Sequence, residues 1–399
     1  MASATASATG SVTGRYARTD WAPFVAALGL TVVGALLIWS STKGWAGNAL
    51  AVRHLVNATI GIVLALAVVA VDVRWLRAVA PWGYLAGLFG LLLVLTPLGE
   101  TVNGSRSWLF LPGGFSLQPA ELAKIGLVVG LAMILAEGRD PYRPPAWREV
   151  LLAWVLAALP IGLIMLQPDL GSALVFGVMT IGVVASSGAS WRWTAAAVGG
   201  TAAAVVAAVR VPLLDPYQVN RLLAFRNPAL DPEGIGYQTT QVRLAIGSGG
   251  WSGTGLGQGA QTQGGFIPFQ HTDFIFSVAG EELGLLGGLG LVGLLGFLVV
   301  RALLVGLRCE DPFGRLVAVG VACWFAFQIF QNIGMNIGLM PVTGLPLPFL
   351  SYGGSSMLAC WLALGLLACA QQPAGGGRGA WSGGPTPAKM GARTTRRRS

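Results

Sequence analysis

Ionisable side chains inside a long apolar chain are where chemistry is to be sought, because a charge at bilayer depth is costly and faces a partner or a cavity. Asp273 closes the run Gln270-His271-Thr272-Asp273 directly before the apolar stretch FIFSVAGEELG. There an Asp can cap the N-terminus of the following helix, or His271 and Asp273 can share a hard cation of the Mg or Mn type, unless they are simply a hydrogen-bonded structural pair. Two histidines in the whole chain exclude a multi-histidine metal centre. In QPAELAKI, Glu121 and Lys124 stand three apart and so share one helix face. They form either a structural ion pair or the lining of a polar cavity in which Lys124 meets an anionic head group. Asp169, in MLQPDLGSAL, lies at the junction of two apolar runs and can cap the second. Arg106, in NGSRSW, sits on the side of the chain that is poor in basic residues, where it either meets negative charge or snorkels to the interface.

These residues need apolar elements to position them. The 399 residues are 54% hydrophobic and only 10% charged, far below the roughly 25% charged residues of a soluble domain. Runs of about 20 apolar residues, the length of a membrane span, begin near Pro23, Ala49, Ala78, Leu117, Val150, Leu170, Thr194, Phe274, Phe313 and Ser355. The expected fold is therefore an all-α polytopic membrane protein with about ten transmembrane helices. With the N-terminus inside, 17 of the 25 Lys and Arg residues fall on the inner side, as the positive-inside rule requires. Both termini are then cytoplasmic. Three long segments, 99–120, 214–273 and 341–354, fall outside, the second being a large extracellular loop between the seventh and eighth spans. Residues 1–20 and the Gly, Pro and Arg-rich residues 373–399 read as disordered cytoplasmic tails around a membrane domain spanning 21–372. The basic end of the second tail can touch anionic lipid. The formal charge of +9 is scattered singly and lacks interleaved aromatics, so no nucleic-acid partner is expected. The glycine run GTGLGQG follows no strand and reads as a tightly turning loop rather than a nucleotide site.

Taken together, the segments NGSRSWLFLPGGFSLQPAELAK, QPDLGSALV, FRNPALDPEGIGYQTTQVRLAIGSGGWSGTGLGQG, QHTDFIFSVAGEELGLLG and NIGMNIGLMPVTGLPLPFLSYGGSS resemble the SEDS proteins of shape, elongation, division and sporulation. The wording is closer to the RodA branch than to FtsW. In place of the glutamate the family usually offers near this histidine, Phe269 follows Pro268 here. The resemblance implies a bacterial cytoplasmic-membrane glycosyltransferase that polymerises lipid II into a nascent glycan strand at the outer face. It also implies a class B penicillin-binding protein as transpeptidase partner and an essential Asp273 acting as general base on the acceptor 4-hydroxyl. The leaving pyrophosphate would be met by Arg106, Arg221, Lys124 or a divalent cation (Mg or Mn), with Glu121, Asp169 and His271 completing a substrate site and no organic cofactor. Glu281 and Glu282 read as structural or cavity-lining. A lipid II transporter and a non-catalytic scaffold of the cell-wall machinery are the competing functions.

Overall fold

A computed structural model describes residues 14–17, 19–102, 104–111, 115–136, 144–210 and 234–372. The expected tails, Arg221 and residues 214–233 of the long loop lie largely or wholly outside them.

Helices form where the apolar runs are. They are α1 (Ala22–Thr42), α2 (Ala49–Ala70), α3 (Val73–Leu95), α4 (Pro119–Ala136), α5 (Trp147–Met165), α6 (Leu170–Ser186) and α7 (Trp191–Arg210). Beyond the long loop come α8 (Ile235–Ser248), α9 (Ala260–Gly264), α10 (Ile275–Glu282), α11 (Gly284–Arg308), α12 (Pro312–Ile337) and α13 (Gly354–Ala370). Among the described residues seven helices (α1 to α5, α11 and α12) are long and apolar enough to cross a membrane, with α6 and α13 shorter apolar helices. Where a span is expected near Thr194 the chain forms the helix α7, which is not among those seven. The span expected to begin near Phe274 is two helices, because the chain breaks at Gly284, whose φ of +67° lies in the left-handed region.

The sequence did not reveal two features of the connections. Three strands, β1 (Glu100–Val102), β2 (Ser105–Leu111) and β3 (Phe115–Leu117), form a small antiparallel sheet in that order. The second half of the long loop is built from α8 and α9. The glycine run turns tightly there, with Gly253, Gly255 and Gly257 all at positive φ. Glu281 fastens it by accepting hydrogen bonds from the Gln261 amide (2.8 Å), the Thr262 amide (2.9 Å) and the Thr262 hydroxyl (2.7 Å). Both glutamates of α10 are buried.

In lipid, helices associate through close packing of small residues. α4 lies at the centre, against α3, α5, α6, α12 and α13. At Gly126 a Cβ would come within 2.8 Å of the Gly83 carbonyl on α3, and at Gly365 within 2.8 Å of the Ala65 carbonyl across the α2–α13 contact. At the end of the bundle away from the sheet, ion pairs tie neighbours together: Arg15 to Asp72 (3.1 Å), Arg77 to Asp311 (2.6 Å), and Arg301 to Asp20.

Candidate functional site

At the sheet end, four connections converge on a cavity of about 290 Å³: the small sheet with Gln118, the α5–α6 turn at Pro168 and Asp169, the turn 269–273, and the stretch 343–356. Its wall is rich in hydroxyls and holds Asp169, His271 and Asp273.

Asp273 is held by its main chain. The Phe269 carbonyl accepts the amides of Thr272 and Asp273, both at 3.1 Å, and that of Phe274 at 3.4 Å. Phe269 itself adopts φ +55°, a conformation that costs a non-glycine residue roughly 1 to 3 kcal/mol and persists only where the surroundings impose it. From the other side Asn332 (2.9 Å) and Asn336 (3.3 Å) on α12 donate to the Asp273 carbonyl. The N-cap position of α10 is taken by Phe274, which makes no side-chain cap hydrogen bond, and Asp273 directly precedes it. Gly344, at φ +74°, lets the chain pass close by: a Cβ there would sit 3.5 Å from Asp273 Oδ2.

His271 lines the same wall. Its carbonyl accepts the Tyr352 amide at 2.9 Å, and burial pushes its imidazole below the ordinary value, which favours the neutral ring. Gln270 ties the turn to the rest of the molecule by donating to the carbonyls of Ser41 (2.8 Å) and Thr262 (3.1 Å).

Asp169 reaches the cavity and also caps α6. Its carboxylate accepts the Ser172 amide (3.0 Å), the Ser172 hydroxyl (2.7 Å) and Gln118 Nε2 (3.3 Å). Glu121 and Lys124 form the expected pair across one turn, at 2.7 Å, with both side chains at most 1% exposed. Neither lines the cavity. Lys124 also donates to Gln328 Oε1 (3.1 Å) and stands 4.8 Å from the Trp324 ring, and Gln328 in turn donates to the carbonyl of Pro346, a lining residue (2.7 Å). Arg106 points away from the cavity, donating to the Gly99 (3.1 Å) and Thr96 (2.8 Å) carbonyls past the end of α3. Arg221 lies outside the described residues. The structure thus brings Asp273, His271 and Asp169 together, places Glu121 and Lys124 beneath them, and leaves Arg106 aside.

Sequence reasoning gave Gln270 no role of its own and passed over Asn332, Asn336 and Tyr352. The usable signal was the series Gln328, Asn332 and Asn336, amides every fourth residue on one face of an otherwise apolar helix, which in lipid require partners.

Among the described residues no three His, Cys, Asp or Glu side chains converge as a metal-ligand set. Asp169 spends its oxygens on Ser172 and Gln118. A hard cation held beside Asp273 would therefore draw further oxygen ligands from a bound phosphate.

Comparison with known proteins agrees with this architecture. The profile of the FtsW/RodA/SpoVE cell cycle proteins matches residues 20–374. A probable peptidoglycan glycosyltransferase FtsW of Trichlorobacter lovleyi is 35% identical over 360 residues, covering 88% of this chain and 93% of that protein. The peptidoglycan glycosyltransferase MrdB of Escherichia coli is 36% identical over 345 residues, covering 85% and 90%. Among solved structures, a chain of a peptidoglycan synthase complex that coordinates polymerization and crosslinking superposes with a TM-score of 0.74 at 35% identity, covering 88% of this chain and 97% of that one. The rod shape determining protein RodA of Thermus thermophilus gives 0.66 at 33% identity, covering 88% and 96%.

Proposed function

Because the chain belongs to the FtsW/RodA/SpoVE family of cell cycle proteins, we propose that this multi-pass membrane protein is a peptidoglycan glycosyltransferase that polymerises lipid II, with Asp273 as general base. The observation that carries the reading is the setting of Asp273: a carboxylate in a hydroxyl-rich cavity, its main chain gripped by Phe269, Asn332 and Asn336.

In the reaction, the acceptor 4-hydroxyl attacks C1 of the donor sugar as the bond from C1 to the pyrophosphate oxygen breaks. The hydroxyl proton passes to the Asp273 carboxylate, and the polyprenyl pyrophosphate departs. The lining hydroxyls orient sugar rings, and neutral His271 serves as a hydrogen-bonding wall. Asp273 is the residue that would hold a Mg or Mn ion, which would supply neutralisation of leaving-group charge. Asp169 acts through Gln118 and α6, holding the opposite wall in place. The polyprenyl tail lies against the apolar helices, so no soluble sugar-nucleotide domain is required.

The sheet end faces outward in this reading, with the Arg–Asp pairs and both termini cytoplasmic, as the basic-residue asymmetry favours. A class B penicillin-binding protein is the proposed partner, supported by the similar chain found in a peptidoglycan synthase complex. We place the protein in elongation on its RodA-like motif wording. Overall identity does not separate the roles, being 35% to an FtsW and 36% to MrdB. Depletion decides: rounded cells support elongation, and filaments assign it to division.

The test of the activity is polymerisation of lipid II by the purified protein in detergent, with and without the transpeptidase and after chelation followed by Mg or Mn. Glycan strands are expected. A protein that makes none under any of these conditions yet moves lipid II between leaflets of vesicles is a transporter, and one that does neither is a scaffold.

A further inference from the structure

Trp45 stands on the turn between α1 and α2, 68% exposed. One side of its indole meets His271, with ring centroids 5.7 Å apart at 62°, and His271 in turn meets Tyr352 at 5.8 Å and 52°. His271 and Tyr352 both line the cavity. The three rings therefore form a continuous aromatic run from the cavity wall to the open surface.

The turn is also fixed relative to Asp273. The Thr42 carbonyl accepts the amides of Trp45 (3.1 Å) and Ala46 (2.8 Å), and Lys43 Nζ donates to the Gly257 carbonyl (2.8 Å). The Ser41 carbonyl accepts Gln270 Nε2 from the turn that carries Asp273. A flat aromatic face on a turn whose main chain is tied down beside a polar cavity suits a pyranose ring, whose axial C–H bonds make one side apolar while its hydroxyls and acetamido group keep their hydrogen bonds. A platform ordered in advance loses little entropy when the sugar docks. An exposed tryptophan in a membrane protein is ordinarily an interfacial anchor, but an anchor needs no chain of rings leading into a cavity.

We propose that Trp45, backed by His271 and Tyr352, is a saccharide-stacking subsite at the mouth of the cavity, taking an N-acetylglucosamine-type ring of the glycan strand. The proposal rests on the glycosyltransferase reading for its ligand, and its contact surface, Trp45, is not among the residues that line the cavity. It is tested on the full-length purified protein in detergent with two measurements, the affinity for a lipid-free β-1,4-linked N-acetylglucosamine tetramer and the length of strands made from lipid II.

Trp45→Leu keeps apolar bulk for the membrane but removes the flat face, and Trp45→Phe restores a flat face. Trp45→Leu is expected to weaken tetramer binding by roughly three- to tenfold, the scale of one aromatic contact, and to shorten the strands. Trp45→Phe should retain most of the binding. Equal affinity and equal strand length in wild type and Trp45→Leu overturn the subsite, as does a wild type that polymerises but shows no binding of the tetramer. Tetramer binding that depends on Trp45 in a protein making no glycan keeps the subsite and removes the glycosyltransferase reading instead.

Discussion

Asp273 is fixed through its backbone, so its carboxylate can be changed while the turn that carries it stays in place. Asp273→Asn keeps the size of the side chain and the main-chain hydrogen bonds of the turn, and it retains an oxygen that can accept a capping amide. Polymerisation should fall by on the order of 100-fold to 10,000-fold, the usual cost of losing a general base, while the thermal unfolding temperature and the complex with the transpeptidase persist. An Asp273→Asn protein working at a near-normal rate would move the base elsewhere. The residue was legible because His-Thr-Asp before an apolar run is an unusual place for charge. Its supports were not: Asn332 and Asn336 act on a carbonyl 59 and 63 residues away in sequence, and local pattern carries no record of such distant partners. Arg106 misled for a related reason. An arginine far from the basic side looks like a phosphate ligand, yet open carbonyls at a helix end attract the same cation.

Helix α12 is the element that connects the parts of the site. Its amide face donates to the Asp273 carbonyl from Asn332, to the Leu345 carbonyl from Asn332 (2.7 Å) and to the Pro341 carbonyl from Gln331 (2.9 Å). Asn332→Leu should therefore loosen both walls of the cavity at once. The expected result is a loss of kcat on the order of tenfold to a hundredfold, the scale of a small misplacement of reacting groups, with the KM for lipid II nearly unchanged. A variant with wild-type kcat would reduce Asn332 to a packing residue. On α4, Glu121→Ala or Lys124→Ala strands a charge that is at most 1% exposed, and removing one member of such a buried pair costs roughly 3 to 5 kcal/mol. Equal thermal stability of both single variants and the wild type would show the pair to be dispensable. The helices themselves were readable from apolar run length, since backbone groups in lipid must be satisfied within the segment. The sheet of β1, β2 and β3 was not, because its strands are short and two are only three residues long. Nor was the break at Gly284, since an apolar run looks the same whether one helix or two pass through it.

Across the whole molecule, the proposed orientation rests on the sequence expectation that 17 of the 25 basic residues lie on the inner side. A cysteine replacing the exposed Phe266, near the sheet end, should react with an impermeant thiol reagent added outside cells, whereas one replacing Pro144 should not. Labelling of both from the same side would overturn the assignment of an external site. The buried ion pair of α4 has a further consequence, for how the chain is made. Lys124 finds its amide partner Gln328 only 204 residues later, and at a synthesis rate of about 5 to 20 residues per second that is a delay of roughly 10 to 40 seconds. During that interval the ammonium group already has Glu121 one turn away on the same helix, so α4 can leave the translocation machinery electrically neutral and wait in the bilayer for the rest of the protein to be born.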